Sequence, residues 1–586
     1  MGLLKSGDIL SWEDLKAAEK SIKERGIDQF VKVYRKNKLN YTCKFAFGDE
    51  LELITLILKE GKYMLYCGSE NIVGKTPSSF VEYARYMVEI SALVPFNEQT
   101  ISDVEKCIQG RIDDIEKISP DGVEVAMIPC FFNLTYDYFY DTKPLVNDVT
   151  LSLNFPFNGV TQHKRFTSFT ENIRNRRGRK IEGYIEIMKD KNTTFDPSRY
   201  VLVDSMGQGM GCCGLQVTIQ GETMANTRFL YDMLAIISPL VLRMTRGSPI
   251  SSGKLINTET RWQMLEMSVD CRTDEERGSL YMRSDDPERY PYGSIIPKSR
   301  FSPVDFFISD HNSYMEEYND IHVPLHDESY TKLIEEDVDV KLARHISSLF
   351  IRDPVVAYRE TNEETFDDFE NIQSSNWRSV RFKIPAEKVN SNLQGWKVEL
   401  RSMEMQATVF ENTAFIYLGF LLSEAIILYN LNLYIPISLV DTNFRRANAF
   451  VRNAKEFKKG ALAEDTQTFY YRRNIKDSNK AVVCSGTLKT IFLGDDEYKG
   501  LLMYVYDVID DKFREQSEHL KKYIRFIEDK LNNKYISLSD WIRRFVINHS
   551  EYKHDSIVHD SIIFDLTQTL LKIRKNNNIT YLKNEP

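Results

Sequence analysis

Cysteine is scarce in this chain: eight residues in 586, at 43, 67, 107, 130, 212, 213, 271 and 484, with no C-x-x-C pair. Such spacing supports neither a disulfide framework nor a structural zinc site, and it fits a reducing compartment, with the cytoplasm as the expected location. A basic excess is also lacking. Lys and Arg number 76 against 85 Asp and Glu, a formal charge of −9, which argues against the electropositive footprint of a nucleic-acid binder. Anionic small substrates stay open, because they answer to local charge. Long apolar runs are missing too. The longest, Ala414–Tyr429, carries Ser423 and Glu424 and is short for a bilayer, so a buried helix is expected and no membrane. The opening MGLLKSGDILSWEDL turns polar after four residues and does not read as a signal peptide. Gly2 and Ser6 match the myristoylation pattern, which is read as a chance match to a short motif. Internal repeats and a Pro/Gly/Ser-rich linker are absent.

What is present is core-forming material: 42% of residues are hydrophobic, ample for a large folded unit. Residues 11–38 have helical spacing. Probable strands follow at 44–58, TKPLVNDVTLSLNFPF (142–157), GYIEIM, RYVLV, CCGLQVTIQ (212–220) and WKVELRSMEMQ (396–406). Helical spacing marks 227–243, then 413–430, 443–459, 501–532 and 536–548, while the acidic stretch 353–376 reads as a loop. The expected class is α+β, an antiparallel sheet with packed helices. Residues 1–412 would form the catalytic core, and 413–586 a mainly helical region packed on it as one compact unit.

Several constellations could carry chemistry. Glu50 and Glu52 lie two apart on a strand, so both side chains leave one face about 7 Å apart. Paired carboxylates favour a hard cation, Mg²⁺ or Mn²⁺; the alternative is a solvated strand face. Glu82 and Glu89 share one face if their segment is helical, and a plain surface helix explains that spacing as well. Met206–Gly211 (MGQGMG) has dinucleotide-loop glycines, but a strand follows rather than a helix, so a tight turn between strands is expected. Gln216 is placed to complete a hard-cation site, and Cys212 and Cys213 read as packed thiols. Glu399 and Arg401 share a strand face, either as a simple ion pair or as a cation ligand beside a substrate-gripping guanidinium. Arg261 could do similar work. The cationic run 173–180 (IRNRRGRK) is a solvated turn or a phosphate clamp, and Arg381 and Lys383 in RFK offer the same alternatives.

Together these segments resemble one family, the eukaryotic-type catalytic subunit of glutamate–cysteine ligase. The motifs run in family order: MGLL, GIDQF, FGDELEL, EYARYMVE, RFTSFTENIRNRRGRK, MGQGMGCCGLQVT, RWQMLEMSVDCRTDEERG, HISSLFIRDP, FENIQSSNWRSVRFKIP, WKVELRSMEMQ and WIRRFVINHSEYKHDS. The resemblance implies a glutamine-synthetase-like fold, with a funnel-shaped active site on a curved antiparallel sheet. It implies ATP-dependent ligation of L-glutamate to L-cysteine through a gamma-glutamyl phosphate, the first step of glutathione synthesis. It implies Mg²⁺ or Mn²⁺ held by Glu50, Glu52, Glu82, Glu89, Gln216 and Glu399, with Glu52, Glu399 and Arg401 central to catalysis. Substrate contacts are expected from Arg261, Arg401, Tyr318 and Gly214, and a phosphate contact from Lys38. Feedback by glutathione at the glutamate site is implied as well, and the chain is expected as a monomer or with a modifier subunit. Departures exist: Gly214 stands where the family often has cysteine, Val81 where it has proline and Phe47 where it has tryptophan. No cysteine follows Cys484 to offer a C-terminal intersubunit disulfide. The alternatives are a catalytically inactive relative acting as a regulatory subunit, and a two-metal phosphohydrolase.

Overall fold

The structure is a computed structural model describing residues 7–39, 45–140, 149–194, 199–278, 295–360, 367–385, 395–458, 460–477 and 479–585. Its centre is a nine-stranded sheet. The strands are β1 (Ala46–Lys59), β2 (Lys62–Tyr66), β3 (Ser79–Val81), β4 (Met87–Ser91), β5 (Val123–Ala126), β6 (Phe139–Tyr140), β7 (Gly214–Gln220), β8 (Val380–Lys383) and β9 (Lys397–Glu404). The main path runs β8-β9-β7-β1-β2-β6, with β4 and β5 also on β1 and β3 on β4. Every pairing is antiparallel except β2 with β6.

β1 explains the layout. Its first half alternates between buried and half-buried residues, and from Leu51 to Ile57 every residue is buried. One face of the first half is therefore open, whereas the second half is covered on both sides. The closed face carries Leu51, Leu53, Leu215, Val217, Ile219, Val398 and Leu400, all without exposed surface. Helices Met224–Met244 and Val409–Tyr429 pack on this side. Each such aliphatic side chain contributes about 1.5–3 kcal/mol by leaving water. Val409–Tyr429 is long and apolar enough by composition to cross a membrane, yet it is buried almost throughout. It is the core helix the sequence implied. Thr408 caps it by accepting the Glu411 N–H at 3.2 Å, and Asn430 ends it in the left-handed region.

Several expectations need correction. The boundary at 412/413 cuts this capped helix, and the helix spans both halves of the core, so no domain division falls there. Residues 149–157 of the expected strand at 142–157 form no strand, and 141–148 lie outside the described residues. Part of the acidic stretch is a helix, Asp367–Ser374, with Phe369 and Ile372 buried. Helical segment 501–532 is two helices, Leu501–Lys512 and Ser517–Leu531, broken at Phe513. Helix Ile437–Asn448 ends before 459. The C-terminal third also contains two small hairpins, Thr468–Arg472 with Val483–Thr487 and Gly494–Asp495 with Tyr498–Lys499.

Asp49 points away from Glu50 and Glu52, into the core. Its side chain is wholly buried and accepts from Arg111 Nη1 at 2.8 Å and Nη2 at 2.5 Å, and from the Ala92 N–H at 3.1 Å. This fork ties β1 to helix Val104–Ile118. Asp49→Ala should cost about 3–5 kcal/mol, because it strands a buried guanidinium. Chemical denaturation would register this as a lower midpoint; a midpoint equal to the parent's would refute it.

Candidate active site

Register gathers the acidic positions on the open face. Directly opposed residues share a face, and Glu50 opposes Gln216 while Glu52 opposes Glu89. Glu399 opposes Thr218 on one side and Arg381 on the other. Glu82 and Glu89 are not on a helix. The chain turns between β3 and β4, so Phe80 opposes Glu89 and Glu82 follows just beyond the end of β3. One carboxylate oxygen from each of Glu52, Glu82 and Glu89 lies within 4.8 Å of the others.

Arg401 shares this face by alternation with Glu399, and it sits at a β-bulge. Leu400 opposes Val217 and Met403 opposes Leu215, so Arg401 and Ser402 together face the single Gln216. Arg401 Nη1 donates to Gln216 Oε1 at 2.6 Å and also to Glu399. Lys383 Nζ lies 2.6 Å from Glu399 Oε1 and 3.6 Å from Glu50, and Arg381 Nη1 lies 3.4 Å from Glu399 Oε2.

The electrostatics divide the face in two. Burial pushes the Glu52 carboxyl up to about 7, with the Glu82 charge adding to it. Burial likewise drives Glu89 well above the usual carboxylate range, with Glu50 and Glu82 adding. On the other half the cations win. Against the cost of burial, Lys383, Arg401 and Arg381 hold Glu399 well below its ordinary value. One half is thus a crowd of carboxylates short of positive charge. The other is a cluster of cations around one carboxylate.

A cleft of about 570 Å³, counting its open mouth, joins the two halves. Glu52, Glu82, Gln216, Arg381 and Arg401 line it, together with residues that motif spacing did not single out. Foremost is Arg165, 2% exposed, which donates to Ser374 Oγ at 2.7 Å and to Asn371, and whose guanidinium burial lowers to about 10. Trp377, Phe166, Phe169, Met206 and Met210 supply apolar wall. Arg165 and Trp377 sit inside segments that carry the family resemblance, the signal by which they were findable.

Gly214 and Arg261 lie together beside Glu52. The Gly214 N–H donates to Glu52 Oε2 at 2.6 Å, and Gln216 Nε2 donates to Oε1 at 3.0 Å. A Cβ at Gly214 would run into the Arg261 guanidinium. The glycine run before it is not a turn but a short helix, Met206–Met210, capped by Ser205. None of Gly207, Gly209 and Gly211 has a positive φ. They are small for closeness instead: side chains there would strike Phe155, Ser268 and Tyr86. Cys212 and Cys213 are packed thiols, raised well above their ordinary values by the neighbouring Cys130 thiol and burial for the first and by burial for the second.

Two expected site residues lie elsewhere. Tyr318 is 1% exposed, stacks on Tyr434, and its hydroxyl accepts from Arg472 at 3.2 Å and the Ala481 N–H at 3.0 Å. It is a core residue and does not line the cleft. Lys38 caps the end of helix Trp12–Asn37, with Nζ over the Tyr34 ring. The cationic run 173–180 is an exposed turn only at 178–180, and it does not line the cleft. It ends helix Lys164–Arg177, Gly178 terminates that helix at φ 75°, and Arg176 binds Glu276 and Asp353 at 2.7 Å while Arg177 donates to the Asp270 carbonyl.

A carboxylate crowd and a cation cluster thus share one open sheet face beside a cleft. The glutamate–cysteine ligase family model matches residues 1–573, and the chain belongs to that family. Among curated relatives, glutamate–cysteine ligase of Dictyostelium discoideum is 33% identical over 98% of this chain and 97% of its own length. The human glutamate–cysteine ligase catalytic subunit is 32% identical over 97% and 94%. A solved glutamate–cysteine ligase from Francisella tularensis, in complex with AMP, superimposes with TM-score 0.43 at 10% identity over 92% of this chain and 90% of that one. The reaction is the synthesis of gamma-glutamylcysteine, the first step of glutathione formation. Nothing in the family match or the geometry favours an inactive relative.

Proposed function

We propose that the cleft carries out this ligation with ATP and divalent cations, Mg²⁺ or Mn²⁺, held by Glu50, Glu52, Glu82, Glu89, Gln216 and Glu399. The observation that carries this reading is the Glu52–Glu82–Glu89 trio within 4.8 Å, two of its carboxyls pushed upward by burial and mutual repulsion. All-oxygen donors on crowded carboxylates suit a hard cation. Held by these residues, such ions would supply positive charge to offset the negative charge of the phosphates.

The remaining roles belong to the chain. A carboxylate is a poor acceptor for an amine, and phosphorylation supplies a leaving group. The gamma-carboxylate of glutamate takes the terminal phosphoryl group of ATP, ADP leaves, and the cysteine amine then displaces phosphate. Arg401, Arg381 and Lys383 supply cations where triphosphate and transferring phosphoryl meet. Arg261, beside Glu52, suits the alpha-carboxylate of glutamate. Arg165 has neutral side chains, Asn371 and Ser374, as hydrogen-bond partners and lines the wall with Trp377, which suits the cysteine carboxylate. A modifier chain, in line with the human relative's name, and feedback by glutathione at the glutamate subsite belong to the same reading. The seven described cysteines are free thiols, which supports a cytoplasmic setting.

An ADP-release assay omitting each component in turn tests the proposal. Release should require ATP, divalent cation, glutamate and cysteine (or a small amine surrogate) together. Phosphate release from ATP with no amino acid present would instead favour the phosphohydrolase.

A further inference from the structure

Glu404 has no exposed surface, and the proposed chemistry does not use it. By alternation along β9 it belongs with Leu400, on the closed face. The bulge at Arg401–Ser402 changes that: it advances the register by one residue and sets Glu404 opposite Gly214, at the end of β7 nearest Glu52. There both carboxylate oxygens are taken by backbone donors. Oε1 accepts the Arg261 N–H at 2.5 Å, and Oε2 accepts the Gly247 N–H at 2.7 Å. The Ser248 hydroxyl donates to the carboxylate as well, at 3.1 Å to Oε2. Arg261 Nε lies 4.0 Å away, and Arg261 Nη2 donates to the Met403 carbonyl at 3.1 Å. Arg261 is thus clamped by two adjacent residues of one strand. Its guanidinium fills the space that any side chain at position 214 would occupy.

We propose that Glu404 is a positioning residue that locks Arg261 into the slot left by Gly214 and thereby sets affinity for the glutamate substrate. This rests on the reading of Arg261 as the group that receives a glutamate carboxylate. The demand on position 404 is strict, because two backbone N–H groups approach two different oxygens. A neutral amide offers one acceptor oxygen and turns its NH₂ toward the other N–H, leaving a buried donor unpaired. Gly214 matters for the complementary reason: a methyl there pushes the guanidinium out of the slot.

Steady-state kinetics of the full-length enzyme, with each substrate varied in turn, test this. Glu404→Gln should raise KM for glutamate about tenfold or more, with kcat and the KM values for ATP and cysteine within about twofold of the parent. Gly214→Ala should raise KM for glutamate by a similar factor, and in that KM the double variant should be no worse than the poorer single, because both act by releasing one side chain. Gly214→Ala also carries the test if Glu404→Gln fails to fold. A fall in kcat with all three KM values rising together would mean a merely structural role and overturn the proposal. Arg261→Lys separates the two layers. If it leaves the glutamate KM unchanged, the substrate role of Arg261 is wrong and the proposal falls with it. If it raises that KM while Glu404→Gln and Gly214→Ala do not, the substrate role stands and the positioning role is wrong.

Discussion

Glu52→Gln will lower kcat by about a hundred- to a thousandfold while leaving the cation-free melting temperature close to the parent's. The first part follows from position: Glu52 belongs to the carboxylate trio and is also fixed by the Gly214 N–H and Gln216 Nε2. Losing one charged ligand there removes stabilisation that matters most when phosphoryl charge is moving. The second part follows from two opposing terms. The amide loses one of two hydrogen bonds, yet it also relieves repulsion from Glu82, part of what holds the Glu52 carboxyl up at about 7. Melting curves with and without Mg²⁺ give the sharper readout. In the parent, a hundredfold excess over Kd should add about 2.7 kcal/mol of stability, and the variant should lose most of that gain. A variant that turns over normally, or gains as much from Mg²⁺ as the parent does, contradicts the assignment.

Glu399→Gln should abolish turnover as well, but with the opposite stability signature. Its side chain has no exposed surface and takes Lys383, Arg401 and Arg381 at once. Removing its charge leaves three clustered cations facing one another, a loss of about 3–5 kcal/mol by analogy with other broken buried pairs. The two glutamates look equivalent in sequence, each on a strand beside another charged residue two positions away. Calorimetry should separate them, with little change for the first and a large drop for the second. Equal melting temperatures for the two variants would mean that the cations do not depend on Glu399.

Much of the site was legible because alternation along a strand is a local property. Glu50 with Glu52 and Glu399 with Arg401 share faces as long as their segments are extended, and the buried run after Thr408 had to become a core helix. Two families of error share one cause. The interval between Glu82 and Glu89 fits a helix equally well, and only the turn between β3 and β4 decides otherwise. The glycines at 207, 209 and 211 suggested a turn, whereas their smallness serves contacts with Phe155, Ser268 and Tyr86, none adjacent in sequence. Tyr318 and Lys38 were placed at the site by resemblance alone, and each is instead occupied by neighbours in its own part of the fold.

The sequence by itself determined which side chains each strand can offer to a common face, because side-chain period and hydrophobic burial depend on near neighbours. It determined the family too, through ordered motifs spread over the chain. Only the tertiary structure decided that Glu52, Glu82 and Glu89 bring their carboxylates within 4.8 Å of one another, that Arg165 and Trp377 wall the cleft, and that one extra residue in β9 delivers Glu404 to Arg261. Register between strands more than a hundred residues apart is set by packing on both faces of the sheet, and no local pattern contains that information.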